Sequence, residues 1–272
     1  MTERYVLPGG AVAKRRLDII AGFLRPATLA LLRRVGVAPG HRCLDLGCGG
    51  GHVTADLARM VAPSGSALGL DADAEVLELA RADAVAGGVR GASFEVGDAR
   101  ELDMTGFDLV YARCLLGHLP DPADVVRRMV RAAVPGGVVV VEDIDHDGVL
   151  TYPPSAAYTT YSRVYQDLVR RRGADPTIGF ALPGLLRDAG LAEIGLNVTH
   201  PAFLAGAPKR VHCSTLVAIM PLVVGEGLLD EAAAEALLAE MTAVAEDPGT
   251  VVTGPRVVQS WGRRPVDGAT DQ

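Results

Sequence analysis

The sequence predicts an α/β protein of the doubly wound kind, a parallel sheet with helices on both faces, and three observations predict it. The first is the stretch Cys43-Leu44-Asp45-Leu46-Gly47-Cys48-Gly49-Gly50-Gly51-His52-Val53-Thr54. An apolar run ends in a carboxylate, a glycine cluster follows and a helical pattern begins, which reads as strand, tight turn, helix. The second is the alternation of short apolar runs with helical patterns from 41 to 143, the signature of parallel strands buried on both faces. The third is where the charged residues fall. Asp45, Asp71, Asp98, Arg113 and Glu142 all lie at the carboxyl ends of those runs, the side on which such sheets bind ligands.

Residues 1 to 40 precede the sheet. Tyr5-Val6-Leu7-Pro8-Gly9-Gly10 is turn-rich, amphipathic runs follow at about Ala13 to Leu24 and Ala27 to Val35, and Pro39-Gly40 closes the segment. Strands are then predicted at Arg42–Leu46, Ala67–Asp71, Ser93–Val96, Phe107–Ala112 and Val138–Asp143, with helices near 52–61, 74–86 and 122–133. Beyond Asp145 the composition changes. Tyr152-Pro153-Pro154 opens a segment in which Tyr158, Tyr161 and Tyr165 recur at helical spacing before Arg170-Arg171-Arg172. Residues three and four apart share a helix face, so these phenols either pack in a core or wall a substrate site. Leu182 begins a helix that ends at Ala189-Gly190, Glu193–His200 reads as a strand, and Arg256–Trp261 as the last one. Between those two strands, helices are expected at about Lys209–Val223 and Asp230–Glu246, and the tail 266–272 is expected to be disordered.

Glycines at 47, 49 and 51 let the backbone turn tightly and approach a ligand, and the helix behind them points free amides into the turn. The next unit, Ala67-Leu68-Gly69-Leu70-Asp71, ends in a carboxylate about 20 residues further on, the distance that grips a ribose diol. Asp71 could instead cap the following helix. His52 stands where a dinucleotide-dehydrogenase fingerprint has its third glycine. Asp45-Leu46-Gly47-Cys48-Gly49-Gly50-Gly51 resembles the first motif of class I S-adenosylmethionine-dependent methyltransferases. Asp71 then matches the acidic residue on the cofactor ribose, Gly97-Asp98-Ala99 the segment beside the adenine, Phe107 to Arg113 the fourth strand, and Pro135-Gly136-Gly137 with Val138 to Glu142 the turn and fifth strand. Five motifs in this order span roughly residues 38 to 145.

The resemblance implies a Rossmann-like sheet of seven strands with an antiparallel last strand, the sixth and seventh strands forming a hairpin at one edge. The fold domain would then run from 41 to 265, with helical insertions at about 147–180 and 201–254 and residues 1–40 as an N-terminal helical lid. An insertion of this size would serve as a substrate cap or as the contact of a homodimer. The resemblance also implies S-adenosyl-L-methionine as cofactor, released as S-adenosyl-L-homocysteine. Tyr5, Asp45, Gly47, Gly49, Asp71, Ala72, Asp98, Ala99 and Arg113 are the residues expected to hold it. Arg113 could meet the carboxylate of the methionine part, or bind nearby carbonyls.

An activated methyl leaves the protein to align a nucleophile, exclude water and remove a proton. His118, in Leu115-Leu116-Gly117-His118-Leu119-Pro120, sits where some natural-product O-methyltransferases carry a histidine base, although a structural residue beneath the cofactor is the other reading. Glu142 and His146, in Glu142-Asp143-Ile144-Asp145-His146, form the second catalytic candidate group. A net charge of -7 and a pI near 5.4 argue against a nucleic-acid partner. Cys43, Cys48, Cys114 and Cys213 have no metal-ligand spacing, which fits reduced thiols in a cytoplasmic protein without a metal. No signal-peptide layout or membrane-length apolar run stands in the sequence. The expected function is methyl transfer to an O, N or C nucleophile of a small molecule, in secondary metabolism. The alternative is an enzyme of the same fold that binds the cofactor but catalyses a cyclisation or pericyclic rearrangement.

Overall fold

The computed structural model of the protein describes residues 10–266; Tyr5 and nearly all of the expected tail lie outside the described residues. Its strands, in chain order, are β1 (Arg42–Leu46), β2 (Ser66–Asp71), β3 (Ala92–Val96), β4 (Phe107–Arg113), β5 (Ala133–Asp145), β6 (Thr151–Tyr152), β7 (Ala192–Thr199), β8 (Ala202–Phe203), β9 (Val251–Thr253) and β10 (Arg256–Arg263). The helices are α1 (Gly10–Arg34), α2 (His52–Val61), α3 (Ala74–Ala86), α4 (Pro122–Ala132), α5 (Ala156–Arg171), α6 (Leu182–Asp188), α7 (Val211–Gly225) and α8 (Glu231–Glu246). Seven strands make the main sheet in the order β3-β2-β1-β4-β5-β10-β7. β1 to β5 run parallel, and β10 lies antiparallel between β5 and β7. The strand order reverses between β1 and β4, so the crevice that such sheets use for ligands opens beyond Asp45 and Arg113.

Alternation along the central strands builds both cores. Cys43, Leu109, Tyr111, Val138 and Val140 face Leu31 and Leu32 of α1 and Val53 and Leu57 of α2. Leu44, Val110, Ala112, Val139 and Val141 face Val125, Val126 and Met129 of α4 and Leu182 and Leu186 of α6. Burial of each of these large side chains is worth roughly 1.5–3 kcal/mol, which makes the two-sided apolar strands the main determinant of the fold. The helix starts are set by short polar side chains: Asp73 accepts from the amides of Glu75 and Val76, Asp121 precedes Pro122 at the start of α4, and Asp230 caps α8. The cap on α3 is thus Asp73, which leaves Asp71 to another task.

The structure corrects the reading of the lead. The two amphipathic runs are one helix, α1, that continues through Pro26. A proline removes one intrahelical bond at a cost of about 3 kcal/mol in isolation, but Leu24, Leu31 and Leu32 on either side are buried, and packing overrides the break. The two insertions come together as a second core in which Tyr158, Tyr161, Val164 and Leu168 of α5 meet Leu216, Ile219 and Val223 of α7 and Leu237 and Met241 of α8. Beside it lies a small antiparallel sheet, β6-β9-β8, absent from the sequence reading because strands of two or three residues carry no period.

Candidate active site

Apart from Tyr5, which lies outside the described residues, each residue expected at the cofactor has a definite place. The turn after β1 takes left-handed backbone at Gly47, Gly49 and Gly51, with φ of 68°, 50° and 73°, values that glycine adopts without strain. The amides of Gly47 and Cys48 donate to the Leu70 carbonyl at 2.7 and 3.1 Å, which ties the turn to the end of β2. Asp71 finishes that tie: Oδ2 accepts from the Gly49 amide at 2.8 Å and Oδ1 from the Asp73 amide at 3.0 Å. Each carboxylate oxygen retains an acceptor position, so the group can shape the turn and still receive two ribose hydroxyls. Asp45, 2% exposed, accepts from Thr54 Oγ1 at 2.6 Å. Burial raises its pKa to about 6 against the opposing pull of that hydrogen bond and of Arg113. At the end of β3, Asp98 accepts from the Arg100 amide at 2.9 Å and pairs with its guanidinium, which holds the carboxylate below its usual range. Ala72 is exposed and Ala99 buried on either side of that crevice. A glycine turn roofed by Leu17, whose Cδ1 lies 3.3 Å from where a Cβ on Gly49 would stand, together with a carboxylate that has free lone pairs, fits S-adenosylmethionine.

Arg113 reaches up to α1, where Nη1 donates to Thr28 Oγ1 at 3.2 Å. Beside it Glu142 is fully buried, with Oε1 2.5 Å from the Tyr111 hydroxyl and Oε2 2.8 Å from Gln259 Nε2. Gln259 in turn accepts from Asn197 at 2.7 Å. Both oxygens of Glu142, a catalytic candidate in the sequence, are engaged in locking β4, β5, β10 and β7 together, and it is not among the residues lining the cavity beyond β5 and β10. Alternation put Glu142 on the same strand face as Ile144; only the packing shows that Ile144 reaches open space and Glu142 does not.

The other two catalytic candidates do meet. A cavity of about 90 Å³ lies beyond β5 and β10, roofed by Arg16, Ile20 and Phe23 of α1, with Ile144 and Val257 at its base, and His118 and His146 both line it. Such a volume holds several waters or one compact group. His118 ends a 3-10 turn, Leu116–His118, anchored by Asp143, whose Oδ2 accepts from the Gly117 amide at 3.1 Å. Burial, with Arg16 nearby, lowers the His118 pKa to about 4. His146 stacks on Tyr165 at 4.3 Å, and its Nδ1 lies 3.1 Å from Ser162 Oγ; burial lowers its pKa to about 3. Cys114, between Arg113 and the His118 turn, lines the cavity with left-handed backbone at φ 52°, a strained conformation of the sort that persists at functional sites. The tyrosines of α5 divide their work: Tyr161 and Tyr165 line the cavity, while Tyr158 lies in the core 4.0 Å from Cys213 Sγ. The sequence reading missed Arg16 and His212, which line the cavity too. Neither carries a motif, and each arrives on a helix whose placement depends on the whole fold. Among the described residues no group of three or more His, Cys, Asp or Glu could hold a metal ion, and no helix is long and apolar enough to cross a membrane.

The methyltransferase-domain family matches residues 38–170, the sheet half of this site. The chain is 32% identical over 189 residues to a trans-aconitate 2-methyltransferase of Deinococcus radiodurans, 67% of this chain and 71% of that protein. It is 35% identical over 145 residues to a ubiquinone biosynthesis O-methyltransferase of Sodalis glossinidius, 50% of this chain and 57% of that protein. It therefore belongs to the class I S-adenosylmethionine-dependent methyltransferases. Several of the curated relatives are spanned over only about half their length, 46% and 57% in two cases. Among solved structures, the Bacillus halodurans C-125 protein BH2331 shares the fold with a TM-score of 0.62 at 21% identity, over 88% of this chain and all of that one.

Proposed function

We propose that this protein transfers the methyl group of S-adenosylmethionine to an O, N or C nucleophile of a small molecule, in secondary metabolism. The observation that carries the reading is that the glycine turn with Asp71 and the roofed cavity beyond β5 and β10 share a wall: Leu115, whose side chain lies against Gly47, follows the cavity-lining Cys114. Gly47, Gly49, Asp71, Asp98 and Ala99 hold the cofactor, which supplies an activated methyl. Asp45 braces the turn from below through Thr54, and Arg113 faces the methionine end. Ile20, Phe23 and Ile144 keep water from the acceptor. His118 and His146 are neutral near pH 7 and keep a ring lone pair for the nucleophile's proton, although burial makes each a weak base until the nucleophile's developing charge offsets it. The small-molecule preference draws support from relatives whose names specify trans-aconitate and ubiquinone biosynthesis, and the secondary-metabolism reading from a methyltransferase GfsG of Streptomyces halstedii, 35% identical over 137 residues.

Calorimetric titration with S-adenosylmethionine and S-adenosylhomocysteine tests the cofactor half. Both should bind the unaltered protein, and Asp71→Ala should weaken both by about tenfold to a hundredfold, as the ribose acceptors and the Gly49 anchor are lost together. Equal affinity in the variant would remove Asp71 from the site. The same fold serves the 4+2 cyclase SpnF, with a TM-score of 0.54 at 19% identity, so the fold does not choose between methylation and cyclisation. S-adenosylhomocysteine formed in step with product decides for methyl transfer; product formed without it decides for the cyclase.

A further inference from the structure

The insertion brings to the cavity a histidine that no motif marks. His212, in the first turn of α7, donates its Nε2–H to the Thr253 carbonyl oxygen at 2.9 Å. A carbonyl oxygen can only accept, so this bond puts the ring proton on Nε2 and leaves a lone pair on Nδ1. Among the described residues no hydrogen bond is made to that Nδ1, although the ring is 4% exposed and lines the cavity. Three rings lie close to it: Tyr161 at 5.4 Å, Tyr158 edge-on at 6.0 Å and His146 edge-on at 6.3 Å. The cationic group lining the same cavity is Arg16. Burial lowers the His212 pKa to about 4, so the lone pair is available throughout the neutral range. Because the ring lines the cavity, that lone pair can accept from a donor on a bound ligand.

Taking the cavity as the acceptor's place, which rests on the methyl-transfer reading, we infer that His212 Nδ1 receives an O–H or N–H of the acceptor and so selects compact, largely apolar molecules that carry such a donor. A carboxylate would meet Nδ1 lone pair to lone pair and is rejected at this point. A molecule with only methyl groups there leaves Nδ1 unpaired.

Phenol and toluene, nearly identical in shape, are the probes. His212→Gln keeps a side-chain N–H for Thr253 and takes the acceptor away from the Nδ1 position, its own amide oxygen lying at the tip of the side chain instead. By calorimetry near neutral pH, phenol should bind the unaltered protein more tightly than toluene, and His212→Gln should weaken phenol by about tenfold while leaving toluene unchanged. Nitrogen-15 spectra of the histidine rings should show His212 as the Nε2–H tautomer. Equal loss of both probes would reduce His212 to a structural residue and overturn the inference, as would an Nδ1–H tautomer or no phenol binding at millimolar concentration. S-adenosylmethionine titration of the same samples separates the two readings. A protein that discriminates phenol through His212 but does not bind the cofactor keeps this site and loses the transferase.

Discussion

A carboxylate with almost no solvent has to be satisfied by its neighbours, and Asp45 shows what that demands of one residue. Its pKa in the folded protein is raised to about 6 by burial, and Thr54 Oγ1 is the hydrogen-bond donor opposing that rise. A carboxyl whose folded pKa exceeds its unfolded value contributes stability below the unfolded pKa and loses it as pH rises through the folded pKa. Thr54→Val removes the donor, pushes the folded pKa further up, and should cost about 1–3 kcal/mol. The loss should be larger at about pH 8, where the carboxylate is ionised and most needs the donor, than at about pH 5. Urea unfolding at the two pH values measures it; a pH-independent difference would mean that Asp45 is never ionised in the fold. Asp45, Asp71, Asp98 and Arg113 were legible in the sequence because each ends a strand next to a recognisable motif. Glu142 ends its strand in the same way, yet is enclosed by Tyr111 and Gln259, and no local pattern distinguishes the two situations.

Among the elements, α2 shows how little room the turn allows. A Cβ on Gly51 would stand 2.6 Å from Phe94 Cε1 and 3.0 Å from the Ala80 Cβ, on backbone with φ +73°. Steric overlap and left-handed strain add, so Gly51→Ala should lower stability by about 2 kcal/mol or more. It should weaken S-adenosylmethionine binding as well, because Gly49 shares the displaced turn. Urea unfolding and calorimetry measure the two effects; an unchanged midpoint would show that Phe94 gives way. α1 is the opposite case. Its Pro26 reads as a break in the sequence, yet Arg25 pairs with Asp56 of α2 at 2.7 Å and Thr28 holds Arg113. These tertiary contacts, absent from any window of sequence, decide that one long helix roofs the cavity.

For the molecule as a whole, the chain Tyr111–Glu142–Gln259–Asn197 crosses four adjacent strands and joins the parallel half of the sheet to the antiparallel edge. Gln259→Leu preserves volume but deprives a buried carboxylate of one donor, and should cost about 1.5–3 kcal/mol. Amide exchange should quicken chiefly in β7 and β10, while S-adenosylmethionine affinity holds, because the proposed cofactor site lies at the ends of β1, β2 and β3, away from β7 and β10. Loss of cofactor affinity in this variant would mean that the two halves are coupled.

The sequence by itself determined the alternating strands and helices, the parallel core and the glycine turn with its carboxylates, because all of these depend on local signals: two-sided apolar runs, glycines where the backbone turns left-handed, and a carboxylate at each strand end. The antiparallel edge was reached only through resemblance. Tertiary structure alone decided the acceptor half. Arg16 of α1, His146 after β5, Tyr161 of α5 and His212 of α7 come together from segments nearly two hundred residues apart. Their chemistry there is set by burial and by partners such as Ser162 and Thr253. A side chain's exposure and the proton position on an imidazole are properties of its surroundings, and in this chain those surroundings exist only once the insertions have packed over the sheet.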